Sequence, residues 1–81
     1  MIDKLTLSQN ESVYLDTTNN TVTIILLDSA TIEIRDEQNN LRGTLGDVLE
    51  MYTLAINTGV YTAVNTSSSS ARILIFRQFI Y

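Results

Sequence analysis

The last stretch of the chain, residues 71–81, constrains the fold more than any other. Its sequence, ARILIFRQFIY, places apolar side chains at both odd and even positions. Successive side chains of a β-strand point to opposite faces, so a strand here is apolar on both. Such a strand must be covered on both faces, by the opposite sheet of its own domain and by something else. In a chain of 81 residues, we expect that second cover to be another copy of the protein.

The rest of the chain alternates between short apolar segments and polar turn signals. Thr, Val and Ile favour strands, whereas Asn, Asp, Ser and Gly favour turns. The expected strands before the last one are residues 2–7, 12–15, 21–27, 30–35, 46–56 and 60–64, and residues 41–45 are either a short strand or an irregular segment interrupted by Gly43. This spacing predicts one all-β domain over residues 1–81, a single antiparallel β-sandwich or jelly-roll-like barrel of about seven or eight short strands. Parallel pairing would need longer crossovers than these loops offer.

Two local predictions rest on weaker signals. Residues 46–56 fit a helical face as well as a strand, and we favour the strand because the neighbouring segments are strands. Residues 28–29 are short enough for a tight hairpin connection, although they contain no Gly.

The alternation within each segment also predicts which side chains form the core. We assign to it Val13, Leu15, Val22, Ile24, Leu26, Ile32, Ile34, Leu74 and Phe76. Burying Phe76 leaves the opposite face of the last strand outside, which makes it the expected contact with a neighbouring subunit. Together with Tyr14, whose ring faces away from Val13 and Leu15, that interface comprises Ile73, Ile75, Arg77, Phe79 and Tyr81. Arg77 interrupts this face and is predicted to pair with an acidic residue of the neighbour.

The composition offers little for catalysis or for cofactor binding. The chain has no Cys and no His, which removes the usual zinc, copper and haem ligands. The acidic cluster at residues 36–40 lacks the spacing and the Gly of a calcium loop, and the Ser run at 67–70 has no adjacent base. We therefore expect no enzyme activity, no cofactor and no metal.

The charge pattern argues against two classes of partner. The formal net charge is −4 and the five cationic residues are scattered along the chain. Nucleic acids and anionic membranes are bound by clustered Lys and Arg, so we expect neither partner. The N-terminal segment contains Asp3 and resembles no signal peptide.

Two functions are compatible with these features of the sequence. The chain as a whole resembles the small structural proteins of tailed bacteriophages, such as capsid cement or decoration proteins, which are short, acidic, Thr- and Asn-rich β-sandwiches without Cys. The resemblance implies a homo-oligomer, a trimer by preference, on a capsid shell, and localisation in the virion if the protein is viral, otherwise in the cytoplasm. No motif accompanies it. The alternative is a small binding module for carbohydrate or peptide, with Tyr14, Tyr52, Tyr61 or Tyr81 in the contact.

Overall fold

The structure, a computed structural model, describes residues 1–80, and these form eight β-strands without a helix. Polar turns separate short segments of alternating or wholly apolar residues, as the sequence predicts. The strands are β1 (Ile2–Leu7), β2 (Ser12–Asp16), β3 (Asn20–Leu26), β4 (Ile32–Arg35), β5 (Leu41–Leu45), β6 (Met51–Leu54), β7 (Val60–Asn65) and β8 (Ala71–Phe79).

The strands form two antiparallel sheets of four. The first sheet has the order β1-β8-β3-β6, and the second has the order β2-β7-β4-β5. The chain therefore pairs like a long hairpin folded at the turn between β4 and β5, with β1 on β8, β2 on β7 and β3 on β6. This is the jelly-roll arrangement, and the predicted fold class is confirmed.

The core lies between the inner faces of the two sheets. In strand β3, for example, the even-numbered residues are buried between the sheets and the odd-numbered residues are half-exposed. Six residues of the predicted core are fully buried, namely Leu15, Val22, Ile24, Leu26, Ile32 and Ile34. Val13 is only partly buried and packs against this cluster.

The prediction for the last strand was wrong in its parity. Ile73 and Ile75 are fully buried, whereas Leu74 and Phe76 lie on the outer face and are half-buried. The register with β3 explains this outcome, because Ile75 lies opposite Ile24 and Ile73 opposite Leu26. Directly opposed residues of an antiparallel pair share one face, so the buried face of β3 determines that of β8.

Two connections also differ from the prediction. Residues 28–29 do not close a hairpin, because β3 belongs to the first sheet and β4 to the second. Only Met51–Leu54 of the ambiguous segment forms a strand. A turn precedes it, in which Leu49 takes a positive φ of 68° and is exposed. The helical alternative is absent here, but so is a strand over the whole of 46–56.

One side of the sandwich is closed by an aromatic ring. Tyr52 of β6 lies against Gly43 of β5, where a Cβ atom would come within 2.5 Å of the ring. The Tyr52 hydroxyl donates a hydrogen bond of 3.0 Å to the carbonyl oxygen of Arg42. Gly43 thus allows the edge strands of the two sheets to be bridged by one side chain.

Each end of the sandwich is held by a buried polar residue. At one end, the Thr17 hydroxyl donates to the carbonyl of Gly59 at 2.7 Å and accepts hydrogen bonds from the N–H groups of Thr58 and Gly59 at 3.0 Å. At the other end, the Asn65 amide donates to the carbonyls of Leu7 at 2.9 Å and Ser69 at 2.7 Å. Sequence reasoning singled out neither residue for burial. Within residues 1–80 there is no helix of the length and apolarity that crossing a membrane would require.

Candidate interaction surfaces

The interior of the sandwich is filled by aliphatic side chains. Leu15, Ile24, Ile34, Ile73 and Ile75 are all at 0% relative exposure. Eight short strands enclose a space that side chains of this size fill. Among the 80 described residues, no group of three or more Asp and Glu side chains is placed to hold a metal ion. Candidate sites therefore have to be sought on the outer surface.

The interface predicted on the last strand is largely lost to this core. Ile73 and Ile75 contribute nothing to the surface of a single chain. The guanidinium of Arg77 pairs with Asp3 of the same chain, whereas the sequence predicted a partner on a neighbouring subunit. Phe79, at the end of β8, remains 40% exposed and accessible. Tyr81 lies outside the described residues.

The opposite face of β8 belongs to an apolar surface that crosses the whole first sheet. We call it the apolar face and define it by Ile2, Ile25, Met51, Leu74 and Phe76. The register places these side chains in two adjacent rows. Ile2 lies beside Phe76, while Leu74, Ile25 and Met51 follow one another on β8, β3 and β6. Ile2 is 60% and Met51 61% exposed, so in a single chain this face is open to solvent.

Polar side chains border the apolar face. Thr23 and Thr53 continue the row of Phe76 and share a hydrogen bond of 2.9 Å between their hydroxyls. Lys4 on β1 continues the row of Leu74 at one edge of the sheet. In the turn that leads into β6, the Glu50 carboxylate accepts hydrogen bonds from the N–H groups of Gly46 at 2.8 Å and Asp47 at 2.7 Å. One row of the face thus ends in Lys4 on β1, and the other ends in Thr53 on β6.

An ion pair lies in the next row, in which Arg72 of β8 is opposite Thr6 of β1. Asp28 accepts hydrogen bonds from the Arg72 side chain, at 2.8 Å to Nη2, and from the Arg72 backbone N–H, also at 2.8 Å. These bonds, with the charges of the guanidinium and of Lys4, lower the pKa of Asp28 from 3.8 to about 2. The positive charge of Arg72 is therefore matched within the chain.

The outer face of the second sheet has a different character. Glu33 and Arg35 lie on it and form an ion pair at 2.8 Å, as expected for a solvated face. Tyr14 of β2 is 75% exposed, the highest value among the large apolar and aromatic residues of the described chain. Its ring borders an open depression of about 520 Å³, lined also by Asp36, Glu37, Asn39, Val60 and Thr62.

The carboxylates of the acidic turn beside this depression already accept hydrogen bonds from backbone N–H groups. Asp36 Oδ1 accepts hydrogen bonds from the N–H groups of Gln38 and Asn40, at 3.0 and 2.9 Å. Glu37 Oε1 accepts one from the N–H of Val60 at 3.1 Å. The carboxylates therefore shape the turn, and Asn39 takes the positive φ of 65° that such a turn needs.

The comparisons with known proteins define the architecture. No protein-family model matches the sequence, and no curated protein sequence is similar to it. Among solved structures, the chain is similar to a de novo designed double-stranded β-helix solved by NMR in solution. The TM-score is 0.76 at 16% identity, over 96% of this chain and 99% of the other.

A second similar structure is Drosophila melanogaster CENP-C bound to CAL1. Its TM-score is 0.64 at 7% identity, over 96% of this chain and 65% of that one. At these identities both likenesses concern the fold alone. They place the chain among double-stranded β-helix folds.

Proposed function

We propose that this protein is a non-enzymatic structural protein that associates with copies of itself and joins a larger protein assembly. The observation that carries the proposal is the apolar face of the first sheet. A regular outer face alternates polar residues with the buried ones, but Ile25, Leu74 and Phe76 interrupt that pattern at the centre of the sheet. Monomers rarely expose an apolar patch larger than a few hundred Å², and larger patches mark interaction sites.

The closed interior supports the same proposal. Because the interior is filled by buried side chains, contacts with partners are made by the outer surface. The contact with other subunits then uses the outward parity of β8, Leu74 and Phe76, in place of Ile73 and Ile75. Phe79 and Tyr14 remain candidate contacts with further partners in the assembly.

The larger assembly that we propose is a capsid shell, with this protein as a cement or decoration component of a virion. Its support is the resemblance in size, composition and fold class to such proteins. The decisive observation is the genetic context. Capsid and tail genes beside the coding sequence would support a virion protein, and an unrelated set of neighbours would contradict it.

Self-association is tested by sedimentation over a concentration series that reaches the high micromolar range. We expect the wild type to associate and Leu74→Thr to remain monomeric, since Thr keeps the preference for a strand and removes the apolar contact. The matched control is Val64→Thr on the outer face of the second sheet, which should associate like the wild type. A wild type that stays monomeric throughout would refute the proposal.

A second candidate function, a small module that binds carbohydrate, is favoured by Tyr14 and the depression beside it. An exposed ring next to carboxylate and amide groups is a suitable combination for stacking on a sugar and for binding its hydroxyls. Titration with neutral oligosaccharides, followed by NMR, tests it. Shifts that cluster around Tyr14, disappear in Tyr14→Ala and persist in Tyr14→Phe would favour this function; unchanged spectra would exclude it for those sugars.

A further inference from the structure

We infer that strand β2 is a second self-association surface, at which the open edge of the second sheet pairs antiparallel with the same edge of another copy. The inference rests on the proposed self-association and adds a contact centred on Tyr14 that is separate from the apolar face. It follows from the backbone groups that β2 leaves free, from the contrast with the other three edges, and from the half-buried side chains beside it.

One side of β2 presents backbone groups that have no partner strand. β2 is the last strand of its sheet, and β7 is its neighbour on the other side. Just after the strand, the N–H of Thr17 donates a hydrogen bond of 3.1 Å to the carbonyl of Gly59. Bonded positions recur at every second residue of an antiparallel pair, so the odd-numbered residues of β2 bond to β7. The N–H and C=O groups of the even-numbered residues, with Tyr14 at their centre, therefore point to the open edge. Among them, the carbonyl of Asp16 also accepts a hydrogen bond of 2.9 Å from the Asn20 side chain.

The other three edges of the sandwich each carry a feature that opposes pairing. β6 has only four residues, and the register of β5 with β4 is interrupted at Arg42. In β1, Met1 and Arg77 exchange two hydrogen bonds at 2.9 and 3.1 Å, so the free positions are the even-numbered ones, with Lys4 at their centre. Short strands, bulges and Lys side chains are the usual means by which edges avoid pairing. β2 has a regular register over five residues and contains no Lys, Arg or Pro.

The sequence of β2 is complementary to itself about Tyr14. A two-fold axis through this residue, perpendicular to the sheet, sets Tyr14 opposite the partner's Tyr14 and Ser12 opposite the partner's Asp16. These pairs can share about six backbone hydrogen bonds. Two aromatic rings meet on the outer face, which favours the pairing, and no two carboxylates are opposed. The same operation on β1 would set Lys4 opposite the partner's Lys4, and like charges in that position are destabilising.

The inner side of this edge is incompletely covered in a single chain. Tyr52 bridges β5 and β6 at one side of the sandwich, so β1 and β2 form the opposite side. There, Leu5 of β1 and Val13 of β2 pack against the core but are only half-buried. The axis through Tyr14 sets Val13 opposite the partner's Leu15, on the inner face of one continuous sheet. The contact therefore covers an apolar side chain that the single chain leaves partly open.

The edge contact is too small to hold two copies by itself. A strand of five residues offers only a fraction of the about 800 Å² per partner that a specific interface buries. A unit that the apolar face has already assembled presents two or more such edges, and this multivalency strengthens its binding to the next unit. Leu74→Thr should therefore remain monomeric although its β2 edge is unchanged. The wild type should form species larger than the unit held by the apolar face alone.

Proline at the centre of the edge tests the backbone pairing. The N–H of residue 14 points away from β7, so Tyr14→Pro keeps the ladder of the single chain and removes both central hydrogen bonds of the contact. Tyr14→Ala is the matched control, because it removes the ring and keeps the N–H. In sedimentation at high micromolar concentration, Tyr14→Pro should stop at the smaller unit, whereas Tyr14→Ala should still form the larger species, at concentrations raised by about tenfold. Circular dichroism checks that both are folded, and equal assembly of the two variants would overturn the inference.

Disulfide formation gives a second readout that does not depend on a Pro variant, because the chain contains no Cys. Directly opposed residues of a bonded antiparallel pair have Cα atoms ~5.5 Å apart, which a disulfide can span. Tyr14→Cys should therefore form covalent dimers when the assembled protein is oxidised with diamide. Thr62→Cys is the control, since it lies beside residue 14 on β7 and three strand spacings, ~14 Å, from its equivalent in the other copy. Equal dimer yields from the two variants would overturn the inference.

The remaining outcomes separate the inference from the proposed function. A wild type that associates but forms nothing larger than Tyr14→Pro would leave the apolar-face contact intact and refute the pairing at β2. A wild type that is monomeric at every concentration would refute both.

Discussion

On the outer face of the second sheet, Glu33 and Arg35 neutralise each other at 2.8 Å, whereas the corresponding face of the first sheet holds Leu74 and Phe76. The inner faces of the two sheets show no such difference, since Ile34 of the second sheet and Ile75 of the first are both fully buried. The core alone therefore needs apolar residues on one face of each sheet. The additional apolar residues of the first sheet are the basis of the proposed self-association.

The largest effect is expected when a core side chain is truncated, and the loss of stability should be similar in the two sheets. Ile34→Ala and Ile75→Ala should each destabilise the protein by about 2–5 kcal/mol, because each leaves a cavity in a closed core. Denaturant unfolding measures both. Ile75→Asp would unfold the chain rather than dissociate an oligomer. A loss of only a few tenths of a kcal/mol in one variant would show that the two inner faces are unequal.

The second-largest loss of stability is expected at the contact between the edge strands β5 and β6. Gly43→Ala should cost about 1–3 kcal/mol, since the new Cβ lies 2.5 Å from the Tyr52 ring and forces it to move. The matched control is Gly46→Ala, where the nearest atom is 3.9 Å away. Comparable stability of the two variants would mean that the ring moves without cost and that the edges are not closed by this contact.

The sequence predicts some properties of the last strand and not others. Its apolar character on both faces was visible in residues 71–81, and the all-β class followed from the turns. The sequence does not show which face is buried, because Ile73 and Ile75 are as apolar as Leu74 and Phe76. Only the pairing with β3 distinguishes them, and that partner lies some 50 residues earlier, as the pairs Ile24–Ile75 and Leu26–Ile73 show.

The candidate surfaces were predictable to different degrees for the same reason. Tyr14 is exposed as its local alternation indicated. The apolar face joins residues from β1, β3, β6 and β8, and no single segment displays it. The pairing of Arg77 with Asp3 likewise joins the two ends of the chain. Thr17 and Asn65 resemble ordinary turn residues in the sequence, and only the loops packed around them reveal their burial.

A smaller effect separates the two outer faces. Phe76→Thr and Val64→Thr should each lower the stability of the isolated chain by about 1 kcal/mol, since both side chains are half-buried. The melting temperature of the wild type should rise with protein concentration, as expected when association stabilises the folded state. Val64→Thr should keep this dependence and Phe76→Thr should lose it. Equal behaviour of the two variants would remove the distinction between the faces.

The smallest effect concerns the ion pair beside the apolar face. The Arg72 hydrogen bonds hold the pKa of Asp28 at about 2, below its ordinary 3.8, so the folded state favours the ionised carboxylate. The unfolded chain binds the proton more readily, and the contribution of this group to stability is present above about pH 4 and lost as the pH falls through 2. Both side chains are partly exposed, at 52% for Arg72 and 29% for Asp28, and salt screens such pairs. The free energy of unfolding of the wild type should therefore fall slightly more steeply between pH 4 and pH 2 than that of Asp28→Asn, and the difference should shrink in high salt. Parallel curves for the two proteins would mean that the pair contributes nothing to folding and that the border of the apolar face is held by its side-chain packing alone.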